Sequence, residues 1–206
     1  MDRAKRRERT LYLVQLGLLA ALVVVLQYLG NFLSVALVTS INLTLIPIVI
    51  GAAILGPVGG MILGLVCGAM VLMTPMAQGI MGYSWWMALL ICFGKTAVAG
   101  YVAGWIYRWV AKKNTLVATI ATAIIVPIIN TGLFVFGCSF LVDYFITADP
   151  AVGFGVAVPQ GITYIGFIGF ICGIIAVNFV IEFLMTVIPS APICHAIQSI
   201  RKRKIK

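Results

Sequence analysis

The fold class this sequence predicts is an all-α integral membrane protein, a bundle of six transmembrane helices with N- and C-termini cytoplasmic. Three observations predict it. Hydrophobic residues make up 63% of the 206 and charged residues only 9%, against about half and about a quarter in soluble domains. The mean hydropathy of +1.16 represents more apolar surface than a soluble core of this length buries, so lipid must cover the remainder. The net charge of +9 is gathered at the ends of apolar runs: Arg3, Lys5, Arg6, Arg7 and Arg9 before the first, Arg108, Lys112 and Lys113 in mid-chain, and Arg201, Lys202, Arg203, Lys204 and Lys206 at the close. Such clustering is the positive-inside pattern of a membrane protein and argues against nucleic-acid binding.

The chain reads as a single transmembrane domain over 1–206, with basic cytoplasmic tails at 1–10 and about 195–206 around a bundle at about 11–190. A span needs roughly 20 apolar residues. The first runs over 11–33 and ends among Gln27, Asn31 and Ser34; it is long for the core of a signal peptide and is read as retained. The second covers 42–55 and contains Pro47. Gly56-Pro57 then makes a tight turn, and a third span continues to 73, closed by Thr74-Pro75. A connector through Gln78, Gly79, Gly82 and Tyr83 leads to Trp85-Trp86, an interfacial pair at the head of the fourth span, which ends in Tyr107-Arg108-Trp109. The fifth covers 115–140 with Pro127 and Asn130. A loop with Asp143, Asp149 and Pro150 precedes the sixth, about 158–188. Six spans put every basic cluster inside and the two aspartates outside, whereas five or seven would place one terminal cluster on the wrong side. The expected location is a bacterial cell (plasma) membrane, multi-pass.

The composition supplies little for catalysis. There is one histidine, His195, and the acids Asp2, Glu8, Asp143, Asp149 and Glu182 form no paired-carboxylate or metal-ligand spacing. The five cysteines, Cys67, Cys92, Cys138, Cys172 and Cys194, lack CxxC spacing and read as small hydrophobes. The expectation is therefore a non-enzyme without cofactor or metal. Lys95 stands apart: it lies about ten residues beyond the tryptophan pair, near mid-membrane at roughly 1.5 Å per residue. An ionisable group at that depth is a functional-site candidate. It meets either an internal partner such as a carbonyl or Asn130, or a ligand's carboxylate or phosphate. Glu182 lies nearer the cytoplasmic end and is assigned to the interface or a partner protein. Asn130 and Asn178 can serve as helix–helix hydrogen-bond groups. An outward-opening pocket would draw on Asn31, Gln78, Tyr83, Trp85, Trp86, Gln160 and Tyr164, with Gln27, Asn42, Asp143 and Tyr144 nearby, a set that suits a planar or amphipathic small molecule. An aromatic belt alone would also explain the tyrosines and tryptophans.

Glycines supply a further pattern. Gly56, Gly60, Gly64 and Gly68 recur every fourth residue along the third span, Gly100 and Gly104 in the fourth, and Gly169 and Gly173 in the sixth. Such faces allow close helix packing, either within the bundle or against a partner.

The stretch INLTLIPIVIGAAILGPVGGMILGL, from Ile41 to Leu65, resembles the substrate-binding S component of energy-coupling factor (ECF) vitamin transporters, in which a Leu-Gly-Pro-x-x-Gly turn leads into a glycine-rich third helix. The layout of the whole chain is similar; the motif is confined to about 42–68. Gly17 and Ala21 are similar to the family's small-residue motif for the coupling partner, although the family usually has alanine at both positions. The resemblance implies a substrate-specific subunit that binds a vitamin or precursor from outside. It would dock through its first three spans, including Gly17, Ala21, Gly56, Gly60, Gly64 and Gly68, onto a transmembrane coupling subunit driven by two cytoplasmic ATPases. Lys95 leans the substrate towards an anion such as pantothenate, with riboflavin, a thiamin precursor or folate as other members of the class. The alternatives are a self-sufficient small transporter or channel acting as a homo-oligomer, and an intramembrane lipid-modifying enzyme.

Overall fold

The computed structural model describes residues 3–37, 42–147, 159 and 161–203, and among them every regular element is a helix. Asp2, Asp149, Pro150 and Gln160 lie outside the described residues, as do the side chains of Asn178, Cys194 and His195.

Helix α1, Arg3–Leu37, carries its basic residues exposed in its first two turns. Among its described side chains the buried ones form a narrow stripe, Leu19, Val23, Gln27 and Gly30, spaced for one helical face. Tyr12, Leu16 and Ala20 pack partly buried beside it, while apolar residues such as Leu18 and Phe32 are exposed.

Helix α2, Leu45–Val71, is not a rod. Gly56 has φ +82° and ψ −167°, a conformation that glycine adopts without the Cβ clash other residues suffer, and the following Pro57 disfavours helical torsions at Gly56. The chain folds back there into arms of 11 residues (45–55) and 15 residues (57–71). The Thr44 hydroxyl lies 2.9 Å from the Cys67 sulfur; 23 residues of straight helix would hold those positions about 34 Å apart. A Cβ on Gly60 would meet Ala52, and one on Gly51 would meet Leu63. The expected turn at Gly56-Pro57 is therefore a hairpin.

Helix α3, Pro75–Tyr83, fills the expected connector; Thr74 caps it by accepting from the Ala77 N–H at 3.4 Å, and Pro75 occupies the first position, where its missing N–H costs nothing. Helix α4, Trp85–Val110, runs antiparallel to the second arm of α2. Helix α5, Thr115–Cys138, starts at Asn114, whose side-chain oxygen accepts from Leu116 N–H (2.8 Å) and Val117 N–H (3.3 Å). Short α6, Val142–Thr147, occupies part of the expected loop, and α7, Tyr164–Arg203, bends by 43° between Tyr164–Ala176 and Phe179–Ser190.

Four of these helices are long and apolar enough to cross a membrane, and a fifth if the bent pair in α7 is one span. The expected six passes arise only when the two arms of α2 are counted separately. At about 16 and 22 Å, each arm is shorter than the roughly 30 Å hydrocarbon core.

Two cores result. The larger surrounds the α2 hairpin, with Leu19 and Val23 of α1, Leu45, Ile48, Val49 and Leu63 of α2, Ala99 and Ala103 of α4, and Ala123 and Val126 of α5. The smaller sits at the end where α3, α4, α5, α6 and α7 meet, around Ile80, Ile91, Leu141, Phe145, Phe167 and Ile171.

The glycine face of the third expected span is filled by α4. A Cβ on Gly60 would run into the Gly100 carbonyl, one on Gly64 into the Thr96 carbonyl, one on Gly68 into the Cys92 carbonyl, and one on Gly104 into Pro57 and Gly56. The pairs 60–100, 64–96 and 68–92 share one antiparallel register, so the two backbones touch along three turns. Gly56, Gly60, Gly64 and Gly68 are buried in this contact. Of the two uses the sequence left open, close packing inside the bundle is the one the structure shows, and this face is not available for an outside partner.

Candidate functional site

Lys95 sits at the middle of α4, where its helix leans on α5. Its ammonium lies 4.5 Å from the centroid of the Phe134 ring, a cation–π contact that partly replaces water for a charge in an apolar setting. Asn130, one of the internal partners the sequence allowed, does not take this role: it lies one turn earlier on α5, is 4% exposed, and its side-chain oxygen has no hydrogen-bond partner.

Lys95 also lines a cleft of about 330 Å3 between α4 and α5. Met87, Leu90, Ile91, Gly94 and Val98 form one wall, and Leu133, Phe136, Gly137 and Phe140 the other. A glycine stands on each wall. Nothing lies within 4 Å of where a Gly94 side chain would begin, and Gly137 admits Ile91 where a side chain would collide. The chemistry of the cleft is simple: hydrocarbon and aromatic walls with a single ammonium.

On the inner side, a second polar group gathers at the open end of the α2 hairpin. The Glu182 carboxylate of α7 accepts a hydrogen bond from the Asn42 backbone N–H, and the Lys95 charge acts on it. The Thr44 hydroxyl donates to the Asn42 side-chain oxygen. Its single proton being used there, the Cys67 S–H donates to the Thr44 oxygen. Glu182, half-buried, thus meets groups of the bundle itself, where the sequence reading assigned it to the interface or a partner protein. Cys67, Cys92 and Cys138 are buried free thiols and Cys172 an exposed one. Among the described residues no group of three or more His, Cys, Asp or Glu is placed to hold a metal.

The outer set predicted from the sequence does not converge on this cleft. Trp85 and Trp86 stack on each other with centroids 4.1 Å apart and remain exposed. Tyr83 packs on Tyr144 at 5.4 Å, on the cap made by α6. Gln78 is exposed and reaches the Met73 carbonyl at 3.4 Å. Asn31 accepts from the Gln27 side-chain amide at 3.0 Å within α1, and Tyr164 is exposed at the start of α7. None of these residues lines the cleft. The cleft walls contributed by α5, together with Phe134, have no counterpart in the sequence reading. Their one signal is the spacing of Leu133, Phe136 and Gly137 on α5, with Phe140 in the turn just past its end, which a uniformly apolar helix conceals.

No family model, no curated protein and no solved structure matches this chain.

Proposed function

We propose that this chain is a multi-pass membrane protein that captures a small anion with an apolar body, seating the body in the α4–α5 cleft and its charge against Lys95. The observation that carries the reading is the single ammonium in walls otherwise hydrocarbon and aromatic. A membrane-buried charge is retained where it has something to bind, and apolar walls with one convergent polar group are the usual form of a small-molecule site. Such walls suit a carboxylate on a hydrocarbon or aromatic body better than hydroxyl-rich pantothenate.

In this proposal the protein is the solute-binding subunit of an ECF-type transporter, as the sequence resemblance implies. The N-terminus and Arg108 face the cytoplasm, and a coupling subunit with two ATPases supplies the energy. The glycine face of α2 being occupied by α4, docking falls to α1. Gly17 and Ala21 are exposed there, with open space over Gly17.

Native mass spectrometry of the purified protein tests the reading, because a retained ligand reports its own mass. Replacing Lys95 with methionine removes a charge-assisted contact worth about 1.5–3 kcal/mol, roughly ten- to hundredfold in affinity, and should empty the site. A ligand retained undiminished by Lys95→Met would refute the role of Lys95. Copurification of other subunits supports the transporter reading, whereas recovery of the chain only with copies of itself would favour a self-sufficient channel.

A further inference from the structure

Glu182, Thr186 and Ser190 succeed one another at single-turn intervals on one face of α7. The hydroxyls of Thr186 (1% exposed) and Ser190 (0%) are buried without a hydrogen-bond partner, as is the Asn130 side-chain oxygen on the neighbouring α5. Unpaired polar atoms in an apolar bundle are unfavourable, and hydroxyls that both donate and accept are suited to holding water along the face that ends at Glu182.

The groups that face the Glu182 carboxylate are few. Lys95 of α4 is the charged group acting on it among the described residues, and the Asn42 N–H bonds to it. The neutral Cys67 thiol of α2 also lies within its field. Cys92 of α4 and Cys138 of α5, both neutral, lie within the field of Lys95. No direct ion pair joins Lys95 and Glu182, so a gap separates the two charges. With both ionised the empty interior is neutral. An anion seated beside Lys95 adds one negative charge to a region of low dielectric, where an uncompensated charge is strongly unfavourable.

We propose that capture of an anion beside Lys95 is coupled to uptake of one proton by Glu182, so that the site is electrically neutral both empty and filled. This rests on the Lys95 reading above. The balance is simple: the carboxylate takes one proton from water and becomes a neutral acid, Lys95 remains an ammonium, and the ligand keeps its charge. Anion and proton therefore enter together.

The test uses the full chain in lipid nanodiscs and decanesulfonate as probe, since its sulfonate stays ionised throughout the working pH range. Calorimetric titration in buffers of different ionisation enthalpy counts the protons taken up. At pH values where Glu182 is ionised in the empty protein, the expected result is about one proton per bound decanesulfonate, with affinity falling about tenfold per pH unit as pH rises. At lower pH, where Glu182 already carries its proton, both the uptake and the slope should vanish, as one-proton linkage requires. Glu182→Gln should bind with no proton uptake and no pH dependence, and its thermal unfolding should confirm that it is folded. Binding that Lys95→Met abolishes, but that takes up no proton in the wild type, overturns the proton coupling and leaves the Lys95 reading standing. Proton uptake that persists in Glu182→Gln overturns the assignment to Glu182. No binding by the wild type, or undiminished binding by Lys95→Met, overturns the Lys95 reading and the coupling with it.

Discussion

Replacing Gly64 with alanine adds one methyl group at the closest approach of α2 and α4, and the structure sets the size of the effect. The new Cβ would collide with the Thr96 carbonyl oxygen and stand 2.6 Å from the carbonyl carbon and 2.8 Å from the Ala97 Cα. Ordinary contact begins at 3.4 Å, so relieving the carbonyl-carbon contact alone parts the helices by about 0.8 Å, the difference between 3.4 and 2.6 Å, and the closer carbonyl oxygen asks for more. Both neighbours are backbone, and no side-chain rotation relieves the clash. A gap of this size forfeits a quarter to a half of the dispersion energy along the seam, by rough reckoning. Overpacking of this kind destabilises by about 1–3 kcal/mol, while alanine regains up to about 1 kcal/mol of helix propensity. The net expectation is a loss of about 1–2 kcal/mol. It is read from unfolding of the purified protein by SDS in mixed micelles, followed by tryptophan fluorescence. Gly17→Ala and Gly132→Ala are the controls, since nothing lies within 4 Å of either new methyl; both should be neutral or slightly stabilising. A Gly64→Ala protein as stable as the wild type would refute the 64–96 register, and with it the assignment of the glycine face to α4.

Two further outcomes follow from the same structure. In a variant that keeps Cys67 and has its other cysteines replaced, Thr44→Cys should form an intramolecular disulfide under mild oxidation, identified by peptide mass; the present 2.9 Å contact suits the Cβ separation of about 3.5–4.5 Å that a disulfide needs. Its absence would mean that α2 does not fold back. Asn114→Ala removes the two cap bonds at the start of α5 and should lower stability by about 1 kcal/mol in the SDS assay, with Asn114→Asp restoring most of it.

What the sequence discloses is uneven, for physical reasons. The fold-back at Gly56 is legible, because glycine followed by proline constrains the backbone locally and independently of its neighbours. The value of a four-residue glycine spacing is legible too, but not its recipient: the spacing states that a backbone will come close and does not say whose. Lys95 is identifiable as a charge at depth by counting from Trp85. Its partner is not, since Phe134 is one apolar residue among many on a helix whose every face is apolar. The same uniformity hides the cleft walls on α5, where the contrast that makes a soluble helix readable is missing. The aromatic residues mislead in the opposite direction. Trp85, Trp86 and Tyr83 look like the walls of a pocket, but the structure leaves all three exposed, where an interface would claim them.

The fold-back also bears on how the chain is threaded into a bilayer during synthesis. As it emerges, 45–71 presents 27 apolar residues in a row, enough for one complete crossing. If α1 and α4 each cross once, a straight α2 would leave Arg108, Lys112 and Lys113 on the opposite side from Arg3, Lys5, Arg6, Arg7 and Arg9. Under the same condition, folding at Gly56 makes the number of crossings contributed by α2 even, two if the tip reaches the far side and none if it stops partway, and either value returns all these cations to one face, as the positive-inside rule asks. The surface onto which the second arm folds belongs to α4, which is made later. The packing that holds the fold-back is thus completed only after α4 has arrived.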